Sequence, residues 1–595
     1  MEIKPATVKL VSSAFDRDRS VVPVLPFRAQ KDALPSGETG TMLDRSTPEA
    51  EGISSKLIAD FLNEVASNPV INMHSLMIIK NGKVICEARR TGYEPDDWHQ
   101  TFSLCKSITG LAIGLLYDEG RIDLNSSIWS YFPAVRKPLA QRLRPDVTVA
   151  NLLCMTSGFD FAEAGAAISA DWISDFFSSA EKFEPGQKFQ YNSMNTYMLA
   201  SILRVITGEG LCDYLRPRLF EPLGITDYLW ETAPNGTEKG GFGLYLRTED
   251  AAKLGILVLN GGVYGGKRIL SEEWIQKMTA VHAHPTSTHT KFEYGYQIWV
   301  TEDTDIFLFN GLFGQNVTGI RSAGIVISSN AGSDVAFQEG PYFTILDKYF
   351  FHPSLTYDVS GNRADLRSLN ASVRNFTRAF SPLWHRKMHP FFAYLMLRKY
   401  RDRVFRPDPA EPSLSVLPKL LQMIQNNYPG GIDGISVSLF KDTLLVRFSE
   451  NGRMQDIPFG LRRPARSILT FQSEDYLVSG SAKLGLDDSR NPVAEMRLDF
   501  VETVSSRLIR FVFEGDRIHV YMREEPGPKL LESYADNFAE AIRGRPIIGN
   551  IAERVDIVDF IKLRVYNAMV PEFIAIERKE QKNKTEDIEK AVIDS

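Results

Sequence analysis

Two apolar runs, His74-Ser-Leu-Met-Ile-Ile79 and Lys83-Val-Ile-Cys-Glu-Ala88, flank Asn81-Gly82. That dipeptide suits the left-handed positions of a two-residue turn, so the pattern predicts a β-hairpin. Upstream, Ser46-Thr47-Pro48-Glu49 reads as a helix start, with the helix expected to run through about Val65. Downstream, Thr101 is expected to cap a helix from Ser103 to about Glu119, stopped by Gly120. Helical and loop patterns then alternate to about residue 285. Strand-like runs follow at Gly295–Val300, Ile306–Phe309 and Gly324–Ser328. A sheet assembled from both ends of a segment around a helical insert is an α+β arrangement.

The pattern changes after Phe351. Residues 370–403 look helical, aromatic and basic, and Val404–Ser413 carries three prolines in six positions, which suggests a semi-rigid linker. From Ile432 to Glu525 short alternating runs broken by Gly and Asn predict a β-meander. The expected organisation is an extended arm (1–45), an α+β domain (46–352), a helical segment with a Pro-rich linker (353–430), a β-rich accessory domain (431–576) and a charged tail (577–595). His389–Arg403, aromatic at one end and basic at the other, is expected to pack across a domain junction rather than lie on a membrane surface.

Composition narrows the function classes. The 595 residues are 43% hydrophobic and 24% charged, which excludes a mainly disordered or fibrous chain. Lys+Arg number 68 against Asp+Glu 74, a net charge of −6, and no basic stripe points to a nucleic-acid partner. Cys86, Cys105, Cys154 and Cys212 sit among apolar neighbours and read as buried reduced thiols. Without a Cys-x-x-Cys or Cys/His cluster, no zinc site is expected. No apolar leader is visible, and the longest apolar stretches fall short of the ~20 residues of a membrane helix, so a cytoplasmic protein is expected.

Candidate chemistry centres on Ser103-Leu104-Cys105-Lys106. On a helix, positions i and i+3 share a face, so Lys106 would stand one turn above the Ser103 hydroxyl. Serine is a weak nucleophile unless a neighbouring base activates it, and a lysine desolvated by apolar flanks can do so. The same spacing recurs at Ser179/Lys182 and Ser438/Lys441, where the apolar helix is missing. A second candidate element is Phe189-Gln-Tyr-Asn-Ser193, because a phenol beside a cation, here Tyr191, can serve as a general base.

Seven stretches in order resemble a known family. They are Ser103–Lys106, Val149–Gly158, Phe189–Ser193, Leu219–Ile225, Gly241–Asp250, Tyr294–Trp299 and Gly311–Gln315. Residues 46–350 are thereby similar to the serine β-lactamase and penicillin-binding-protein-like hydrolases, in the class C-related branch with esterases and 6-aminohexanoate-dimer hydrolase-like amidases. The resemblance implies an acyl-enzyme on Ser103, with Lys106 and Tyr191 as proton-transfer partners and no cofactor. It also implies a third element at Leu312-Phe313-Gly314-Gln315, with the N–H of Gln315 joining that of Ser103 in an oxyanion hole.

Two departures qualify it. Asn192 stands in the middle of the second motif and Ser193 in the third position, where the family often has an amide, so either could touch a substrate. Leu312 stands where the family has a cation or imidazole, which favours a less charged small-molecule ester or amide. The alternative enzyme, a D-amino-acid peptidase or β-lactamase-like amidase, would need a cation near Leu312, for which Lys291 and Arg321 are the candidates. A catalytically silent ligand-binding protein of the same fold is the alternative outside enzymes.

Overall fold

The computed structural model describes residues 31–135, 146–161, 163–166, 169–286, 291–335, 338, 340–351, 363–378, 390–407, 415–425, 427–527 and 569–578. Asn81 (φ 52°) and Gly82 (φ 77°) take the left-handed pair, and strand β1 (Met73–Lys80) turns back into β2 (Lys83–Arg89) as expected. Five later strands complete an antiparallel sheet. They are β3 (Glu293–Tyr294), β4 (Trp299–Val300), β5 (Ile306–Gly311), β6 (Gln315–Ile320) and β7 (Ile325–Ala331), in the order β2-β1-β7-β6-β5-β4-β3. The segment's two ends therefore meet where β1 pairs with β7.

Alternation along β5 and β6 assigns each face its partner. Phe307, Phe309 and Val317 pack with Ile108 and Leu111 of helix α2 (Cys105–Asp118) and Met198 of α3 (Ser193–Thr207). Leu308 and Ile320 face the other way, onto Phe61 and Leu62 of α1 (Ser55–Ser67). Two sequence expectations need correction at helix starts. Residues 49–51 make only a single 3₁₀ turn, ended by left-handed Gly52, and α1 begins afresh under a Ser54 cap. Thr101 does not cap α2; its hydroxyl donates to the Leu244 carbonyl instead (2.8 Å).

The accessory domain is a barrel rather than an open meander. Its strands are β8 (Val404–Pro407), β9 (Ile432–Phe440), β10 (Thr443–Glu450), β11 (Arg453–Gly460), β12 (Ala465–Phe471), β13 (Glu474–Leu486), β14 (Pro492–Phe500), β15 (Ser506–Glu514), β16 (Arg517–Glu525) and β17 (Glu572–Glu577). Their order is β11-β10-β9-β8-β17-β16-β15-β14-β13-β12, and a bridge between Gly460 and Ser481 closes β11 onto β13. One boundary is corrected. Val404–Pro407, read as the start of a linker, is a barrel strand, and Glu572–Glu577 lies beside it. Most of the expected arm (1–30), linker (408–414) and tail (579–595) lies outside the described residues.

Helix α4 (Pro390–Leu397) sets Ala393 and Leu397 into the barrel core and leaves Phe391 and Phe392 exposed, while α5 (Lys419–Gln425) crosses the barrel's end. Buried polar pairs join the two domains. Lys31 meets Glu502 (3.0 Å), which also accepts from the Trp98 indole (2.6 Å), and Arg90 meets Asp499 (2.8 Å). Among the described residues no helix is long and apolar enough to cross a membrane.

Candidate active site

Ser103 sits in a single 3₁₀ turn (Phe102–Leu104) that feeds α2. Apolar packing along α2 buries Lys106, 1% exposed, while Ser103 keeps 8%. The Lys106 ammonium donates to Ser103 Oγ (2.8 Å), to Ser193 Oγ (2.7 Å) and to the carbonyl of Gly241 (2.8 Å). Its hydrogen-bond partners among the described residues are thus two hydroxyls and a carbonyl, with no carboxylate. Burial pushes the amine down to about 8, an effect only partly opposed by Glu163 and Cys105. Cys105 itself donates to the carbonyls of Phe102 (3.1 Å) and Gly240 (3.2 Å), and burial holds its thiol up at about 12.

The second element separates the roles of its two polar residues. Asn192 spends both ends of its amide on the protein: Nδ2 donates to the Phe159 (3.1 Å) and Phe161 (2.9 Å) carbonyls, and Oδ1 accepts from Met194 N (2.9 Å) to cap α3. Of the two residues that could touch a substrate, Asn192 thus has its amide engaged by the protein. It pins the loop, whereas Ser193 reaches Lys106. Tyr191 stacks on Trp299 (centroids 5.8 Å, 21°) and meets Tyr294 edge-on (6.2 Å), with the Lys106 ammonium 4.9 Å from its ring centre.

The third element arrives because its backbone can come close. A Cβ on Gly311 would lie 2.2 Å from the Thr101 carbonyl and 3.2 Å from the Leu104 nitrogen, so only glycine lets the β5–β6 hairpin abut the Ser103 turn. Gln315 opens β6, and its side chain is engaged with Leu312 and Ala331 (2.6–3.1 Å). Gly314 (φ 101°) precedes it. Phe102 (φ 50°) and Phe313 (φ 68°) both hold left-handed backbone, an unfavourable state for bulky residues, and their rings meet edge-to-face at 5.0 Å. One strained residue precedes Ser103 and the other lies two before Gln315.

Neither candidate cation approaches Leu312. Lys291 pairs with Asp347, and Arg321 donates to the Thr304 carbonyl (3.1 Å) and Thr279 Oγ1 (2.9 Å) beyond the far end of β6. The length of β6 alone separates Arg321 from Gln315 by about 20 Å. Of the histidines, His74 and His99 form a buried pair (3.1 Å), and His282 stacks on Tyr296. No group of three or more His, Cys, Asp or Glu among the described residues is arranged to hold a metal ion. Sequence reasoning missed Gly241, whose carbonyl anchors Lys106 and whose Cβ would fall 2.8 Å from the Ser193 carbonyl, and Trp299, which backs Tyr191. Both lie inside motifs that carried the resemblance, but their spacing says nothing of contact.

Residues 71–341 match the family described as Beta-lactamase. The chain is 28% identical over 257 residues to a 6-aminohexanoate-dimer hydrolase of Paenarthrobacter ureafaciens, an alignment that covers 38% of this chain and 64% of that relative. Among solved structures it is similar to a D-stereospecific amidohydrolase from Streptomyces sp. (16% identity, TM-score 0.40, covering 50% of this chain and 98% of the other). It is also similar to the octameric penicillin-binding protein homologue from Pyrococcus abyssi (15%, TM-score 0.39, covering 78% and 97%).

Proposed function

From the match of residues 71–341 to the β-lactamase family, we propose that this protein is a serine hydrolase that cleaves an uncharged ester or amide through an acyl-enzyme on Ser103. The observation that carries the reading is the Lys106 ammonium, buried without a carboxylate and held between the hydroxyls of Ser103 and Ser193. A lysine pushed down to about 8 is a usable base near neutral pH, where an ordinary one is not.

Ser103 Oγ attacks the substrate carbonyl carbon and its proton passes to Lys106 and on toward Tyr191. Negative charge grows on the carbonyl oxygen, where the backbone N–H groups of Ser103 and Gln315 receive it. Collapse breaks the bond to the leaving group, which takes its proton from Tyr191. Water then attacks the acyl carbon, returns a proton through Tyr191, and frees the acid and Ser103 Oγ–H. Ser193 holds Lys106 in line for both halves. Leu312, and the distance of Lys291 and Arg321 from it, weigh against a substrate anchored by its carboxylate.

Turnover of p-nitrophenyl esters and anilides by wild type and Ser103→Ala tests the reading. Hydrolysis by wild type that falls at least about a thousandfold in the variant is expected. Equal turnover by both proteins would sink it.

A further inference from the structure

The barrel meets the hydrolase domain in an apolar patch beside the nucleophile. Phe102 and Phe313 pack there against Leu420, Val504 and Met569, three residues of the accessory domain. Leu312, Met423, Ile424 and Val570 adjoin the same cluster but stay half-exposed, so the patch has an open side. Elsewhere the domains are joined by buried ion pairs. At the Ser103 turn the contact is hydrocarbon.

The patch is also held in place. The buried pair Arg507–Glu524 (2.8 Å) grips the start of α5: Glu524 accepts from the backbone N–H of Lys419 (2.6 Å) and Leu420 (3.2 Å), and Arg507 donates to the Leu417 carbonyl (2.9 Å). Leu417 and Leu421 turn inward to the barrel, while Leu420 and Ile424, offset along the helix, turn to the hydrolase domain. Gln425 ties the far end of α5 to the Tyr245 hydroxyl (3.0 Å). The β14–β15 connection carries Val504 and is anchored by the bond from Gln100 N to the Glu502 carbonyl (2.9 Å).

We propose that the barrel completes the substrate pocket: with Leu312 it builds an apolar wall that selects substrates carrying a hydrocarbon acyl chain. The inference rests on the serine-hydrolase reading and names its substrate class. A wall that continues from the residue before Ser103 to the residues before Gln315 lies alongside the carbonyl those two residues would hold, so the acyl chain is the part that meets it. Each methylene of that chain leaves water on binding, which favours long chains progressively.

The test is kcat/KM for p-nitrophenyl acetate, butyrate and octanoate with the full-length wild type, Met423→Glu, Ile424→Glu and Leu312→Lys. Wild type is expected to prefer octanoate over acetate by at least about tenfold, and each variant to lower that ratio at least about tenfold. The three variants approach the wall from both domains, so misfolding of one does not remove the test. A wild type with no preference for chain length, or variants that keep the wild-type ratio, overturns the inference while ester turnover through Ser103 stands. No turnover of any ester and no modification of Ser103 by a fluorophosphonate overturns the hydrolase reading and the inference together.

Discussion

Two buried lysines, each three residues after a polar partner on the chain, show what distinguishes the site from the scaffold. Lys253, on the helix Thr248–Leu259, donates to Asp250 (2.8 Å), which also accepts from Arg247 (2.7 Å). All three are essentially solvent-free, and the ammonium has its counter-ion. Lys106 is equally enclosed but is met by the hydroxyls of Ser103 and Ser193 and a carbonyl. Burial costs both cations their hydration. At Lys253 the Asp250 carboxylate, 2.8 Å away, offsets that cost. At Lys106 it remains, and it appears as an amine pushed down to about 8, which is a group ready to exchange a proton.

Removing each amine should break the comparison in opposite ways. Lys106→Met is expected to lower ester turnover by about a hundred- to ten-thousandfold, with no loss of resistance to urea. The sign follows from linkage. The folded state holds this proton less tightly than the usual lysine at 10.5, so charged Lys106 disfavours folding at pH values below about 8, and the penalty fades as pH rises from there toward 10.5. Lys253→Met should instead remove one of the two cations on buried Asp250, leave it with Arg247 alone, and cost about 1–3 kcal/mol of stability. Its folded fraction should retain fluorophosphonate reactivity at Ser103. A Lys106→Met protein as destabilised as Lys253→Met would erase the distinction.

Smaller effects sharpen it. Ser193→Ala removes one of the two hydroxyls on Lys106, and turnover is expected to fall about tenfold, the worth of one hydrogen bond to a charged group. The pH profile of kcat/KM should climb with a midpoint near 8 as Lys106 loses its proton, about tenfold between pH 7 and the plateau. That limb should be absent from the residual rate of Lys106→Met.

The sequence carried local signals well and non-local ones poorly. Asn81-Gly82 specifies a hairpin between neighbours in the chain, and the spacing of Ser103 and Lys106 on an apolar helix specifies one shared face. Barrel closure depends on the bridge between Gly460 and Ser481, and the pairing of Phe405 with Glu577 joins strands far apart in the chain; no periodicity within any of these strands names its partner. The choice between Asn192 and Ser193 was hidden for a similar reason: it depends on the carbonyls of Phe159 and Phe161, which lie in another loop. The apolar wall around Phe102 draws on five separate stretches of chain and leaves no motif in any of them. The strained backbone at Phe102 and Phe313 breaks the rule that glycine or asparagine takes such positions, so composition could not announce it.

The central claim, that burial of Lys106 without a carboxylate activates Ser103, is tested most directly by treating the full-length protein with a fluorophosphonate. Intact mass and peptide mapping would be compared for wild type, Ser103→Ala and Lys106→Met. The account predicts a single adduct on Ser103 in wild type, formed faster as pH rises through about 8, absent in Ser103→Ala and at least about a hundredfold slower in Lys106→Met. An adduct on Ser103 that forms equally fast without the lysine would contradict it.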